Sequence, residues 1–141
     1  MTINLQKKNM DSPDDTRSFN KGKMQIVNLQ EATIGRFVFE PGWKWSESVK
    51  PIVKTESCQQ MHTGYLISGR MRVRMDDGTE AEAGLGDSVI IPPGHDAWVV
   101  GNEPRIGIDF AISFYIWSSL LLSYRFFCSL DTLLKVLLFL I

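Results

Sequence analysis

The sequence is poor in the residues that usually advertise chemistry, with only two histidines and two cysteines among its 141 residues. Cys58 and Cys128 stand far apart with no repeated spacing. That excludes a disulfide framework and suits a reducing compartment, so a cytoplasmic location is expected. Net charge is scarce too, at −1, so no general field draws in DNA or RNA and nucleic acid is not an expected partner. The opening stretch, MTINLQKKNMDSPDDTRSFNKGK, has no apolar run of the kind a secretory signal needs. No nucleophile–base motif, phosphate loop or dinucleotide fingerprint occurs. No internal repeat suggests a tandem architecture.

What is present divides the chain into three parts. Residues 1–23 are charged and carry Ser and Pro, which predicts a flexible N-terminal arm. Residues 24–110 show hydrophobicity of period two rather than 3.6. RFVFEPG is an apolar run ended by Pro41-Gly42. RMRVRM alternates strictly, with Arg70, Arg72 and Arg74 on one face and Met71, Val73 and Met75 on the other. Asp76-Asp77-Gly78 then supplies a tight hairpin turn and TEAEA the returning strand. GDSVIIPPG, AWVV and RIGIDF complete the set, the last with Ile106, Ile108 and Phe110 on one face. Many short strands punctuated by turns predict an all-β barrel or sandwich large enough for one core.

Two stretches in this region resemble the paired motifs of the single-domain cupins, of the RmlC-like jelly-roll type. Gly86-Asp87-Ser88-Val89-Ile90-Ile91-Pro92-Pro93-Gly94 is similar to the start of the second motif, a Gly followed after five residues by Pro-X-Gly. His62-Thr63-Gly64-Tyr65-Leu66-Ile67-Ser68-Gly69 is similar to the end of the first. The resemblance implies a small jelly-roll β-barrel, commonly a homodimer, with a small-molecule pocket at its mouth. Metal-binding cupins draw two His and a Glu from the first motif and a third His from the second. Those positions hold Glu56, Cys58, His62 and Ala97 here, with His95 two residues before Ala97.

None of the four positions carries its usual residue, yet three of the replacements, Glu56, Cys58 and His62, can ligate. Glu56, Cys58, Gln60 and His62 share parity, so an extended segment would point all four to one face. With His95 they would suit one divalent ion, Zn, Fe, Mn or Ni. The competing reading is a metal-free pocket in which His62 and His95 make hydrogen bonds and Cys58 packs as a small hydrophobe. Trp43, Trp45, Trp98 and Tyr65 are candidates for the pocket wall, or equally for core or dimer contact. Asp96 either orients the His95 imidazole or caps its own loop.

Residues 111–141 are overwhelmingly apolar and read as helical. The charge-free run from Phe110 to Tyr124 is shorter than the about 20 residues of a spanning helix, unless Arg125 snorkels at its end. Arg125, Ser129, Thr132 and Lys135 alternatively form one polar stripe at helical spacing. A membrane is a partner only through this tail, and a reading-frame change after the last strand would account for it equally. The functional expectation is a cupin that binds a small molecule, with or without a metal. A metal-dependent enzyme of dioxygenase or isomerase type, and a non-catalytic interaction cupin, are the alternatives.

Overall fold

The computed structural model describes residues 4–30 and 32–110. Its strands are β1 (Asp15–Phe19), β2 (Gly22–Asn28), β3 (Thr33–Phe39), β4 (His62–Ser68), β5 (Arg70–Met75), β6 (Glu80–Gly84), β7 (Ser88–Ile91), β8 (His95–Val99) and β9 (Arg105–Asp109). Two single-turn helices, α1 (Trp45–Ser48) and α2 (Lys50–Val53), lie between β3 and β4. All strand pairings are antiparallel. One sheet runs β1-β2-β3-β9-β4-β7, and a smaller one β6-β5-β8.

The expected turns are where the pattern put them. Gly78 takes φ +90 and its N–H donates to the Met75 carbonyl at 2.9 Å, closing the β5–β6 hairpin. Pro41-Gly42 ends β3, with Gly42 at φ +78 and the Trp43 N–H donating to the Glu40 carbonyl. Along β5, Met71 and Val73 are buried while Arg70 and Arg74 are exposed, so the alternation is that of a half-buried strand. Arg70 and Arg72 both pair with Glu82 on neighbouring β6, which makes the arginine stripe a solvated face.

The core lies between the sheets. Phe39 and Trp43 stack at 3.8 Å with an interplanar angle of 2°, a contact that adds about 0.5–1.5 kcal/mol to the area they bury. Trp45, Cys58, Met71, Val73, Ile91, Ala97 and Val99 complete the cluster.

One expectation is corrected here, and two further features were not read from the sequence. The segment read as an arm contributes a strand, since β1 pairs with β2 from Asp15↔Ile26 to Phe19↔Gly22. Asn20-Lys21, with Lys21 at φ +55, makes the two-residue turn between them. The Phe19 ring meets Phe39 at 6.1 Å, and this apolar contact anchors the strand. The Ile106–Ile108–Phe110 face of β9 is not the interior one; Arg105, Gly107 and Asp109 are buried and Phe110 is exposed. The connection between β3 and β4 is partly helical, not extended, and carries Trp45, Val49, Ile52 and Val53 to the wall of the barrel cavity. The readings of residues 111–141 as a membrane segment, a polar-striped helix or a frame-change product lie outside the described residues. Among the described residues no helix is long and apolar enough to cross a membrane.

Candidate metal centre

Three separate stretches of chain converge at one end of the cavity. Cys58 forms an isolated bridge with His95, the first residue of β8. Cys58 N–H donates to the His95 carbonyl at 2.8 Å, and Gly94 N–H donates to the Cys58 carbonyl at 2.7 Å. Backbone bonding thus sets these two residues side by side before any side-chain chemistry is considered. His62 opens β4 on the other sheet, opposite Ile91 of β7. Asp109 pairs with Gly64, two residues along from His62. That diagonal is within reach of an imidazole and a carboxylate, and the intervening Gly64 has no side chain to block it.

Each imidazole is fixed through Nδ1. His62 Nδ1 lies 2.5 Å from Asp109 Oδ2, and His95 Nδ1 lies 2.7 Å from the Pro92 carbonyl. A carbonyl oxygen only accepts, so Nδ1 of His95 carries a proton, and Asp109 likewise takes the Nδ1 proton of His62. Nε2 of each ring is left for the site. This is the arrangement by which outer partners orient metal-binding histidines. Cys58 Sγ and His62 Nε2 are 3.6 Å apart. The Cys58, His62 and His95 ligand atoms all lie within 4.8 Å of one another.

The charges follow from this packing. Burial alone would push the Cys58 thiol up, but hydrogen bonds with His62 and His95 outweigh it and bring the thiol down to about 6. Burial opposes a charge on His62, while its hydrogen bonds to Asp109 and then Cys58 prevail and raise it to about 9. Without an ion, the resting form at neutral pH is a thiolate beside an imidazolium, backed by a carboxylate.

The donor set fits a divalent ion. Tetrahedral Zn²⁺ with bonds of about 2.3 Å to sulfur and about 2.0–2.1 Å to nitrogen sets an S···N edge of roughly 3.6 Å. The Cys58–His62 separation has that value, which also serves a thiolate–imidazolium hydrogen bond. One thiolate and two imidazoles favour Zn²⁺ or Fe²⁺ over Mg²⁺.

No protein-family model and no curated protein matches the chain. Solved structures do. An RmlC-like cupin from Shewanella frigidimarina NCIMB 400 superposes with a TM-score of 0.52 at 16% identity, over 81% of this chain and 97% of that one. The protein has the cupin fold. A protein of unknown function from Rhizobium leguminosarum bv. viciae 3841 gives a TM-score of 0.51 at 21% identity, over 78% of this chain and all of that one. One from Vibrio parahaemolyticus, also of unknown function, gives 0.51 at 10%, covering 70% and 97%.

Within this fold the predicted site residues fall into two groups. Cys58, His62 and His95 come together, and Trp43 and Trp45 line the cavity while also forming core. The others do not join them. Glu56 is 96% exposed in its side chain and pairs with Lys50 at 2.7 Å. The parity that placed it inward assumed an extended segment, but the chain bends at Glu56-Ser57, and β4 begins only at His62. Gln60 lies outside the cavity lining. Tyr65, 42% exposed, is on the outer face of β4 because His62, Gly64 and Leu66 take the inner one. Trp98 alternates outward on β8, where Arg74 lies 5.8 Å over its ring. Asp96 does not orient His95. Its Oδ1 accepts from the Ser46 and Ala97 N–H groups at 3.1 and 2.9 Å, which caps the start of α1.

Two residues of the site were missed. Asp109 and Arg105 sit on the polar parity of RIGID, and the apolar parity invited the opposite assignment of faces. The signal was Gly107 between them, an inward position without a side chain.

Proposed function

We infer that this cupin binds a small molecule in its barrel cavity through one divalent ion held by Cys58, His62 and His95. The observation that carries this reading is the pair of Nδ1 contacts, His62 to Asp109 and His95 to Pro92, which leave Nε2 of each ring for a cluster with the Cys58 sulfur in which the ligand atoms lie within 4.8 Å of one another. Three protein ligands leave a coordination position for a ligand, as in ion sites that act on bound molecules. A thiolate with two imidazoles suits Zn²⁺, Fe²⁺ and Ni²⁺ ahead of Mn²⁺. An open position of this kind suits dioxygenase or isomerase chemistry, and equally a sensor that only binds. Elemental analysis of the purified full chain tests the reading. Metal near one equivalent, retained through dialysis and lost in His95→Ala, is expected. A protein without stoichiometric metal after reconstitution with Zn²⁺, Fe²⁺, Mn²⁺ and Ni²⁺ overturns it.

A second reading is favoured by the alignment of Cys58, His62 and Asp109. A thiolate beside an imidazole that is itself held by a carboxylate is the pattern of a cysteine nucleophile. Stoichiometric loss of the thiol to iodoacetamide in Cys128→Ser protein, faster than free cysteine near pH 7, supports it over the metal; protection of the thiol by Zn²⁺ supports the metal.

A homodimer is part of the proposal. The outer face of the larger sheet carries Tyr65, Ile67, Ile90 and Phe110, all exposed, and an apolar sheet face of this kind is a surface that partners cover. The cytoplasm is the proposed compartment, supported by a free, ionisable thiol at Cys58.

A further inference from the structure

Arg105 is the least expected side chain in the cavity wall. It is 6% exposed and belongs to a wall made mostly of apolar and aromatic residues. Its Nε is buried without a hydrogen-bond partner among the described residues. The guanidinium carbon lies 5.3 Å from the centre of the Phe39 ring, which itself stacks on Trp43. Burial lowers its pKa to about 10, with Asp109 opposing, so it stays positive at neutral pH.

The space for it is made by Gly107. A Cβ built on Gly107 would stand 2.7 Å from Nη2 and 2.8 Å from Cζ of Arg105. The side chain therefore runs back along β9, over Gly107, towards Asp109. Two residues of strand separate Gly107 from Asp109, roughly 7 Å, and Asp109 carries His62. Trp43, on the same cavity, also has its indole N–H buried without a partner among the described residues. Buried donors demand acceptors, and neither of these groups can accept.

We propose that the cavity takes a short carboxylate whose anionic end is bound by Arg105 and whose other end reaches Cys58, His62 and His95. A guanidinium matches a carboxylate through two parallel hydrogen bonds, and the aromatic stack behind it keeps the fork in place. Without an ion, Arg105 and the His62 imidazolium balance Cys58 and Asp109, so no net negative charge opposes an anion; a divalent ion with His62 neutral would add an excess of one positive charge. The cavity of about 90 Å³ is smaller than one of about 150 Å³ that encloses benzene, so it encloses about four non-hydrogen atoms. The shortest acid with a second oxygen or nitrogen donor has two carbons and five non-hydrogen atoms, so the limit selects acids of that size, with about one atom left at the open mouth of the cavity. The proposal rests on the reading of the barrel as a small-molecule binder and is independent of the metal.

Glycolate and its uncharged counterpart glycolamide are the probes, titrated into the ¹⁵N-labelled full chain, with and without Zn²⁺, by amide chemical shift. Glycolate should shift β9 and β3 amides saturably, with glycolamide at least about tenfold weaker, as loss of a charge-assisted pair requires. Arg105→Met and Gly107→Ala should each weaken glycolate by a similar factor, and both should keep the metal content of the parent. Arg105→Met should melt no lower than the parent, because it removes a buried charge without a partner at Nε. Should that variant fail to fold, Gly107→Ala carries the test, since its added methyl meets only the far end of a flexible side chain. Equal binding of glycolate and glycolamide, no binding of glycolate up to about 100 mM, far above the range of an anchored small ligand, or unchanged binding in Gly107→Ala overturns the proposal. A parent that holds metal but not glycolate sinks this inference alone, and one that binds glycolate without ever holding metal sinks only the metal.

Discussion

His62 meets Asp109 across β4 and β9, Nδ1 to Oδ2 at 2.5 Å, and that contact decides what the other nitrogen of the ring can do. With Nδ1 committed, Nε2 is aimed at Cys58 and His95, and the ring is held against rotation. Removing an ion ligand should abolish stoichiometric metal, so His62→Ala and His95→Ala should each copurify with little. Asp109→Asn keeps every ligand and changes only the outer partner, so its affinity for Zn²⁺ should fall about 10–100-fold without vanishing. Ser88→Ala, at an exposed position of β7, should match the parent. Competition against a chromogenic chelator measures all four, and full metal in His95→Ala would sink the assignment.

The same geometry makes pH dependence two-sided. The Cys58 pKa is depressed from 9.0 to about 6, so its contribution to stability is complete above 9.0 and lost as pH falls through about 6. The His62 pKa is raised from 6.5 to about 9, so its contribution is complete below 6.5 and lost as pH rises through about 9. The metal-free protein should therefore carry the thiolate–imidazolium pair between about pH 6 and 9. Thiolate ultraviolet absorbance in Cys128→Ser protein should titrate near 6. An ion must displace the Nε2 proton of His62, so Zn²⁺ affinity should rise about tenfold per pH unit across that window. A flat affinity profile would contradict it.

Positions that face outward should be quiet. Glu56→Gln and Tyr65→Phe remove nothing buried, and each should shift stability by less than about 0.5 kcal/mol. Trp43→Ala removes a ring stacked at 3.8 Å on Phe39 and should cost about 3–5 kcal/mol. Urea denaturation of the three variants separates these outcomes.

That contrast shows where the sequence was legible. Period-two alternation and Gly turns located β5, β6 and their hairpin, because those features are local. The pairing of Cys58 with His95 is not local, yet both residues stood out as scarce donor types near cupin-like motifs. Glu56 failed because the chain bends at Glu56-Ser57 and is not a strand before His62, so strand parity does not reach back to it. Arg105 and Asp109 failed for a different reason. On β9 the polar side is buried around a site while Ile106 and Ile108 are half-buried, the reverse of the usual pattern of a half-buried strand.

The outer apolar face leads to a prediction about size. A chain ending at Phe110 should still fold, since β9 closes at Asp109 and the Phe110 N–H donates to the Thr63 carbonyl at 2.8 Å. It should melt cooperatively and sediment as a dimer at micromolar concentration. Ile67→Lys, at an exposed position of β4, should shift it to monomer. A single-chain mass for the unmutated truncated chain at every concentration would count against the dimer.

Gly64 gives the sharpest structural test, because it lies where stability and site meet. A Cβ there would stand 2.8 Å from the Ile108 carbonyl oxygen, a backbone atom fixed in the β4–β9 pairing. Neither strand can yield without changing the diagonal from His62 to Asp109. Gly64→Ala should therefore cost about 1–3 kcal/mol as an overpacked position, and it should weaken metal binding in the same step. Gly78→Ala is the comparison. Its φ is +90 and an added methyl would meet nothing within 4 Å, so it should cost about 1 kcal/mol through backbone strain alone. It lies in the β5–β6 turn, which holds no member of the cluster, and should leave metal affinity as it was. Melting curves and chelator competition on the two variants read both quantities. If Gly64→Ala lost stability but bound Zn²⁺ like the parent, the His62–Asp109 contact would not be what orients the site.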